Sequence, residues 1–194
     1  MALSDWIAQF DKLPYPTVDC TGKTIIVTGA NIGLGKEAAR HFVRLNASKV
    51  IMAVRSLEKG EAARKDIEST TGRTGIAEVW SLDLSSYASV QEFATKCQSL
   101  SRIDALVANA SIATHKYSVF EDNESTITVN VVSTFLLILL ILPALRKSAL
   151  RWNIMSVVTV VASDIHGWVN FEEWKSERIF DTINDKRIAK MQDR

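Results

Sequence analysis

A turn from Thr28 to Gly35, read Thr-Gly-Ala-Asn-Ile-Gly-Leu-Gly, carries the first chemistry legible in the chain. It follows a β-branched run, Lys23 to Thr28, and opens into helical spacing at Ala38, Ala39, Phe42 and Val43. Gly29 permits a tight turn at the strand end. Gly33 lets backbone approach a pyrophosphate, whose charge suits the N-terminus of the following helix. Gly35 lets that helix pack closely on the strand. Thr28, Gly29, Asn31, Ile32, Gly33 and Gly35 are therefore candidate cofactor-binding positions. A second cue ends the next apolar run, Met52-Ala-Val-Arg55-Ser. An acid there would hold the ribose 2′-hydroxyl of NAD and repel a 2′-phosphate. A guanidinium favours that phosphate through a charge-assisted, bidentate contact. The chemistry so read is binding of a phosphorylated dinucleotide, NADP(H) in preference to NAD(H).

The elements that must position these groups alternate. Apolar runs at Lys23–Thr28, Val50–Val54, Ile76–Leu82, Asp104–Ala108 and Asn153–Ala162 read as buried strands. Between them, Gly33–Asn46, Leu57–Ser69, a segment starting at a capping Ser85, and Glu121–Lys147 read as helices. Five strands alternating with helices predict an α/β fold, a Rossmann-like doubly wound parallel sheet. Trp6, Ile7 and Phe10 share one helical face, so residues 1–20 read as an N-terminal helical extension and residues 21–194 as a partial Rossmann dinucleotide-binding domain.

Composition excludes several classes. The chain has 194 residues, 47% hydrophobic and 23% charged, with a net charge of +1. Those fractions suit one globular domain rather than a disordered or fibrous chain. So weak and mixed a charge recruits neither nucleic acid nor an anionic membrane. Cys20 and Cys97 offer no disulfide framework or zinc spacing, and His41, His115 and His166 are scattered, so no metal site is expected. A reducing cytosol is the plain reading. The run from Val131 to Leu145 spans about 15 residues, short of the roughly 20 that a bilayer needs. It also contains Ser133, Thr134 and Pro143, and reads as a core helix buried on all sides, not a membrane span.

Four further segments stand in a telling order. Leu82-Asp83-Leu84 follows the third strand, and Asn109-Ala110-Ser111 the fourth. Val129-Asn130 lies in the long apolar helix, and Ala162-Ser163-Asp-Ile-His166 follows the fifth strand. With the glycine turn, this set resembles the short-chain dehydrogenase/reductase family from about Thr21 onward. His166-x-Trp168 and Phe171-Glu-Glu-Trp174 look like its fungal branch, often found in secondary-metabolite pathways. The resemblance implies that Asp83 and Leu84 meet the adenine edge and that Asn109 and Ala110 form the family's Asn-Ala-Gly turn, with Ser111 in place of its Gly. It implies that Asn130 orders the active-site water and lysine, and that Ser163 is the catalytic serine. The substrate so implied is a small-molecule carbonyl or alcohol.

One part of the family pattern is missing. The family's proton donor is a Tyr with a Lys four residues later, the cation lowering the phenol's pKa. Here Tyr15 is followed at that spacing by Asp19, Tyr87 by Gln91 and Tyr117 by Glu121. The chain is expected to stop just before its catalytic helix. That leaves the fifth strand as a sheet edge, the long helix short of cover and the family's homodimer in question. Two alternatives to an active reductase stay open: a catalytically dead nucleotide-binding module, and a truncated product without function.

Overall fold

The computed structural model describes residues 14–163, 167, 170–189 and 191. Most of the expected N-terminal helix, and His166 and Trp168, lie outside them. The parallel sheet forms from the apolar runs: β1 (Thr24–Thr28), β2 (Lys49–Val54), β3 (Ala77–Ser81), β4 (Ala105–Ala108) and, after two short intervening strands, β7 (Val157–Val160). Their order across the sheet is β3-β2-β1-β4-β7, all parallel. One row of the register runs Glu78, Ile51, Ile26, Leu106, Val158.

Alternate side chains face opposite layers. Ile25, Val27, Val50 and Met52 pack with Ala39 and Val43 of α1 (Gly33–Arg44) and Ala63 and Ile67 of α2 (Leu57–Thr71). Ile26, Ile51 and Leu106 pack on the other side with Val90 and Phe93 of α3 (Tyr87–Gln98) and Leu137 and Ile141 of α4 (Ser125–Trp152). The result is the expected Rossmann-like α/β/α sandwich. Strands β2 and β3 step out on one side of β1, and β4 and β7 on the other. A crevice opens at the carboxyl ends where the direction reverses.

Several boundaries differ from the sequence expectation, each for a local reason. The cap of α3 is Ser86, whose hydroxyl accepts the Ser89 N–H, not Ser85, which turns back to Asp83. The long helix does not begin at Glu121. That residue sits at φ 52° in the turn of a hairpin, β5 (Val119–Phe120) with β6 (Asn123–Glu124). At the other end the helix continues through Pro143 and past Lys147 to Trp152, and Asn153 closes it in the left-handed conformation. Asn153 is thus a helix cap rather than the start of the fifth strand.

Burial of α4 is one-sided. Leu137, Ile141 and Leu145 are in the core, whereas Phe135 and Leu139 are 53% and 65% exposed. At 28 residues, with mean hydropathy 2.4 over its most apolar window, α4 is the one described helix long and apolar enough to cross a membrane. Its inner face is committed to the sheet, each such Leu or Ile contributing roughly 1.5–3 kcal/mol on burial. Strand β7 has a described neighbour on one side only, and its Val157 and Val160 are exposed.

Glu124 starts α4 from a fully buried position. Burial pushes its carboxyl up. The Thr126 hydroxyl and N–H, the Ser125 hydroxyl and the Ile127 N–H all donate to it, and together they hold it below the usual carboxylate value. A group depressed in this way stabilises the fold above about pH 4.5, and that stabilisation fades as pH falls through its folded pKa. Glu124→Gln is expected to cost about 1 kcal/mol at pH 7. Urea melts of both proteins at descending pH should show the difference closing below pH 4.5.

Candidate functional site

The crevice at the carboxyl ends of β1 to β4 holds a cleft of about 290 Å³. Gly29 and Asn31 line it from the glycine turn; Arg55, Ser56 and Lys59 from the β2–α2 junction; Leu82 to Ser85 from the end of β3; and Ala110 to Ile112 from the loop after β4. The Thr28 hydroxyl, 1% exposed, accepts the backbone N–H groups of Asn109 (3.0 Å) and Ala110 (2.9 Å). The Asn109 amide returns the contact by donating to the Thr28 carbonyl at 3.0 Å. Thr28 and Asn109 thus spend their polar groups on each other, tying β1 to the β4 loop behind the cleft.

The three glycines of the turn do different work. Gly29 has φ +68°, and a Cβ there would stand 2.9 Å from Ala110 Cα. Gly35 is buried under the turn, where a Cβ would meet Asn109 Nδ2 at 2.4 Å and the Gly29 carbonyl oxygen at 2.5 Å. Gly33 has φ +58°, and a Cβ there would meet no heavy atom within 4 Å. Ile32, the N-cap of α1, is exposed and supplies no side-chain acceptor, and the first turn of α1 has no acid. The leading N–H groups of α1 therefore have no capping side chain, the arrangement that receives an anion.

Arg55 is exposed on the cleft rim and, among the described residues, pairs with no acid. Asp83 is held by an Asx turn, its Oδ1 accepting the Ser85 N–H (2.9 Å) and hydroxyl (2.7 Å). Leu84 lies beside it, 6% exposed.

A second cleft of about 650 Å³ adjoins the first through Ala110, Ser111 and Ile112, which line both. It contains Asn130, Thr134, Ser163 and Phe171. Asn130 lies in a widened, π-helical turn of α4, Thr128–Ser133, where the Thr134 hydroxyl donates to the Val129 carbonyl. Its side chain clasps Ile112: Oδ1 accepts the Ile112 N–H and Nδ2 donates to the Ile112 carbonyl, both at 2.8 Å. Ser163, just beyond β7, is exposed on this cleft. The structure thus places Arg55, Asp83 and, from the glycine turn, Gly29 and Asn31 at one cleft, Asn130 and Ser163 at the next, and Ala110 between them, whereas Thr28, Ile32, Gly33 and Gly35 line neither.

Sequence reasoning missed Lys59 and Phe120 in the first cleft. Lys59 had a signal: it stands four residues beyond Arg55, in the first turn of α2. Phe120 had none, because its two-residue strand has no periodicity.

The sequence pattern of the short chain dehydrogenase family matches residues 23–166. The chain belongs to that family. The short-chain dehydrogenase anuD of Penicillium roqueforti is 48% identical over 194 residues, covering 100% of this chain and 51% of its own length. The short chain dehydrogenase atnD of Emericella nidulans is 50% identical over 189 residues, covering 96% of this chain and 60% of its own. This chain thus spans about half the length of the curated relatives it matches. Among solved structures, a short chain dehydrogenase from Escherichia coli complexed with NADPH is 26% identical, with a TM-score of 0.62 over 80% of this chain and 63% of that one.

The glycines generate a contrast in stability. Gly35→Ala forces a methyl into two contacts under 3 Å, one of them backbone. It should cost about 3 kcal/mol, the upper end of overpacking. Gly33→Ala meets open space and bears only the left-handed strain, about 1 kcal/mol. Denaturant melts of the two variants test that order.

Proposed function

We propose that the chain is the nucleotide-binding part of an NADP(H)-dependent oxidoreductase that interconverts carbonyl and alcohol groups on a small molecule. The observation that supports it most is one cleft that brings together Gly29 and Asn31, from the turn leading into an uncapped helix, and an arginine that has no acid partner among the described residues. Membership of the short chain dehydrogenase family points to a nicotinamide nucleotide as cofactor, and the E. coli relative was solved with NADPH. The relatives' fungal origin agrees with the resemblance to the family's fungal branch, on which a place in secondary metabolism rests.

In this reading the N–H groups at the start of α1 receive the pyrophosphate and Gly33 leaves it room. Arg55 takes the 2′-phosphate, with Lys59 supplying a second cation. Asp83 and Leu84 bound the adenine, and Ala110 walls the cleft at its middle. The bound nucleotide supplies hydride. Ser163, on the adjoining cleft, donates a hydrogen bond to a substrate carbonyl. Asn130 fixes Ile112 between the two clefts.

The 194 residues contain no Tyr followed four positions later by Lys. This favours a second reading for the chain by itself: it binds the nucleotide and turns nothing over. General acid catalysis is typically worth about 10²–10⁴-fold, and among the described residues no Tyr, His, Lys, Asp or Glu lines the second cleft to supply it. Carbonyl reduction with NADPH should therefore stay at background. Turnover that Ser163→Ala abolishes would show that another group donates the proton.

The cofactor preference is tested by binding. Fluorescence titrations should show NADPH bound more tightly than NADH by about tenfold or more, the worth of a charge-assisted contact. Arg55→Asp should reverse that order. Equal affinities, unchanged by the substitution, would remove Arg55 from the site.

A further inference from the structure

The carboxyl-terminal segment ends a short helix, α5 (Ile179–Asn184), on a residue whose side-chain amide and backbone carbonyl both go to one target. The Asn184 side-chain oxygen accepts the Glu124 N–H at 2.7 Å. Its amide donates to Asn123 Oδ1 at 2.9 Å and to the Asp122 carbonyl at 3.4 Å. Its backbone carbonyl accepts the Tyr117 hydroxyl. The neighbouring Ile183 is buried, 3% exposed. All four partners belong to the loop and hairpin over residues 117–124.

That hairpin has a second side. Phe120, between Tyr117 and Glu124, lines the nucleotide cleft and packs on the core. Its carbonyl accepts the Thr128 hydroxyl at 2.7 Å, at the mouth of the π-helical turn that carries Asn130. Glu121 accepts the Tyr87 N–H at 2.8 Å, joining the hairpin to the start of α3 beside the Leu84–Ser85 wall. Two-residue strands have little stability of their own. The hairpin therefore keeps its place through what clasps it, and the clasp from the carboxyl-terminal segment is Asn184.

We propose that Asn184 is a positioning residue for the nucleotide cleft: it clasps hairpin β5–β6 and thereby sets the Phe120 side chain that lines the cleft. The relevance to nucleotide rests on the function proposed above. Asn184 lies 64 positions from Phe120 in sequence, and it touches neither cleft itself.

Fluorine NMR of the full chain carrying para-fluorophenylalanine at position 120 reads the clasp without any ligand, and NADPH titration reads its consequence. Asn184→Ala should move the position-120 resonance and weaken NADPH about fivefold, the worth of a lost hydrogen bond. Added to Phe120→Ala, it should weaken NADPH no further, because both act through one side chain. Tyr117→Phe removes a single hydroxyl from the same clasp and should shift the resonance in the same direction. It carries the test if Asn184→Ala does not fold. An unmoved resonance in either variant, or additive losses of affinity, overturns the proposal. If the unsubstituted chain binds no NADPH, the nucleotide reading fails, and the resonance alone decides whether Asn184 sets Phe120.

Discussion

Where β1 and β4 end, a single buried hydroxyl holds them together. Thr28 accepts two successive N–H groups from the loop after β4, and Asn109 answers to the Thr28 carbonyl. This contact sets how near the glycine turn lies to that loop. Ala110 Cα stands where a Gly29 side chain would begin, and Asn109 where a Gly35 side chain would begin. A parallel sheet whose order reverses at β1 must leave a crevice at this point. The Thr28 latch fixes the width of that crevice at its floor. The exposed start of α1, the Arg55 rim and the Asp83 turn then stand around a floor that is already set.

Much of this was legible in the sequence, because the central strands are buried on both faces and write themselves as unbroken apolar runs. The glycine turn and Arg55 were legible for a related reason: a backbone with positive φ and a charge at a strand end leave few alternatives. The hairpin at Val119 to Glu124 was not. Its strands are two residues long, and tertiary hydrogen bonds to Asn184 and Tyr87 hold them where local propensity does not. The cap at Ser86 rather than Ser85 turned on which of two adjacent hydroxyls Asp83 engages. The partner of Asn130 could not be foreseen, since Ile112 is apolar and only its backbone takes part.

The apolar run of α4 shows what patterning alone decides poorly. Leucine and isoleucine on every side suggested burial on every side, yet one face rests on the sheet and another stays open. The exposed Phe135 and Leu139 on α4, with Met155, Val157 and Val160 along the β7 side, leave apolar surface at that margin of the molecule. The first cleft is lined from the ends of β1, β2 and β3 and from the loop after β4, and no residue of β7 lines it. The first cleft and the open margin therefore lie at different parts of one sheet.

The most direct measurement is an amide chemical-shift titration of the nitrogen-labelled 194-residue chain with NADPH. If the crevice above the Thr28 latch is a preformed nucleotide site, the largest shifts fall at Gly33, Leu34, Arg55, Ser56 and Ser85, while the amides of Asn109 and Ala110, already bonded to Thr28, move little. Saturable shifts confined to the opposite end of the sheet, around Cys20, His41 and Met155, or no saturable shifts at all, would contradict it.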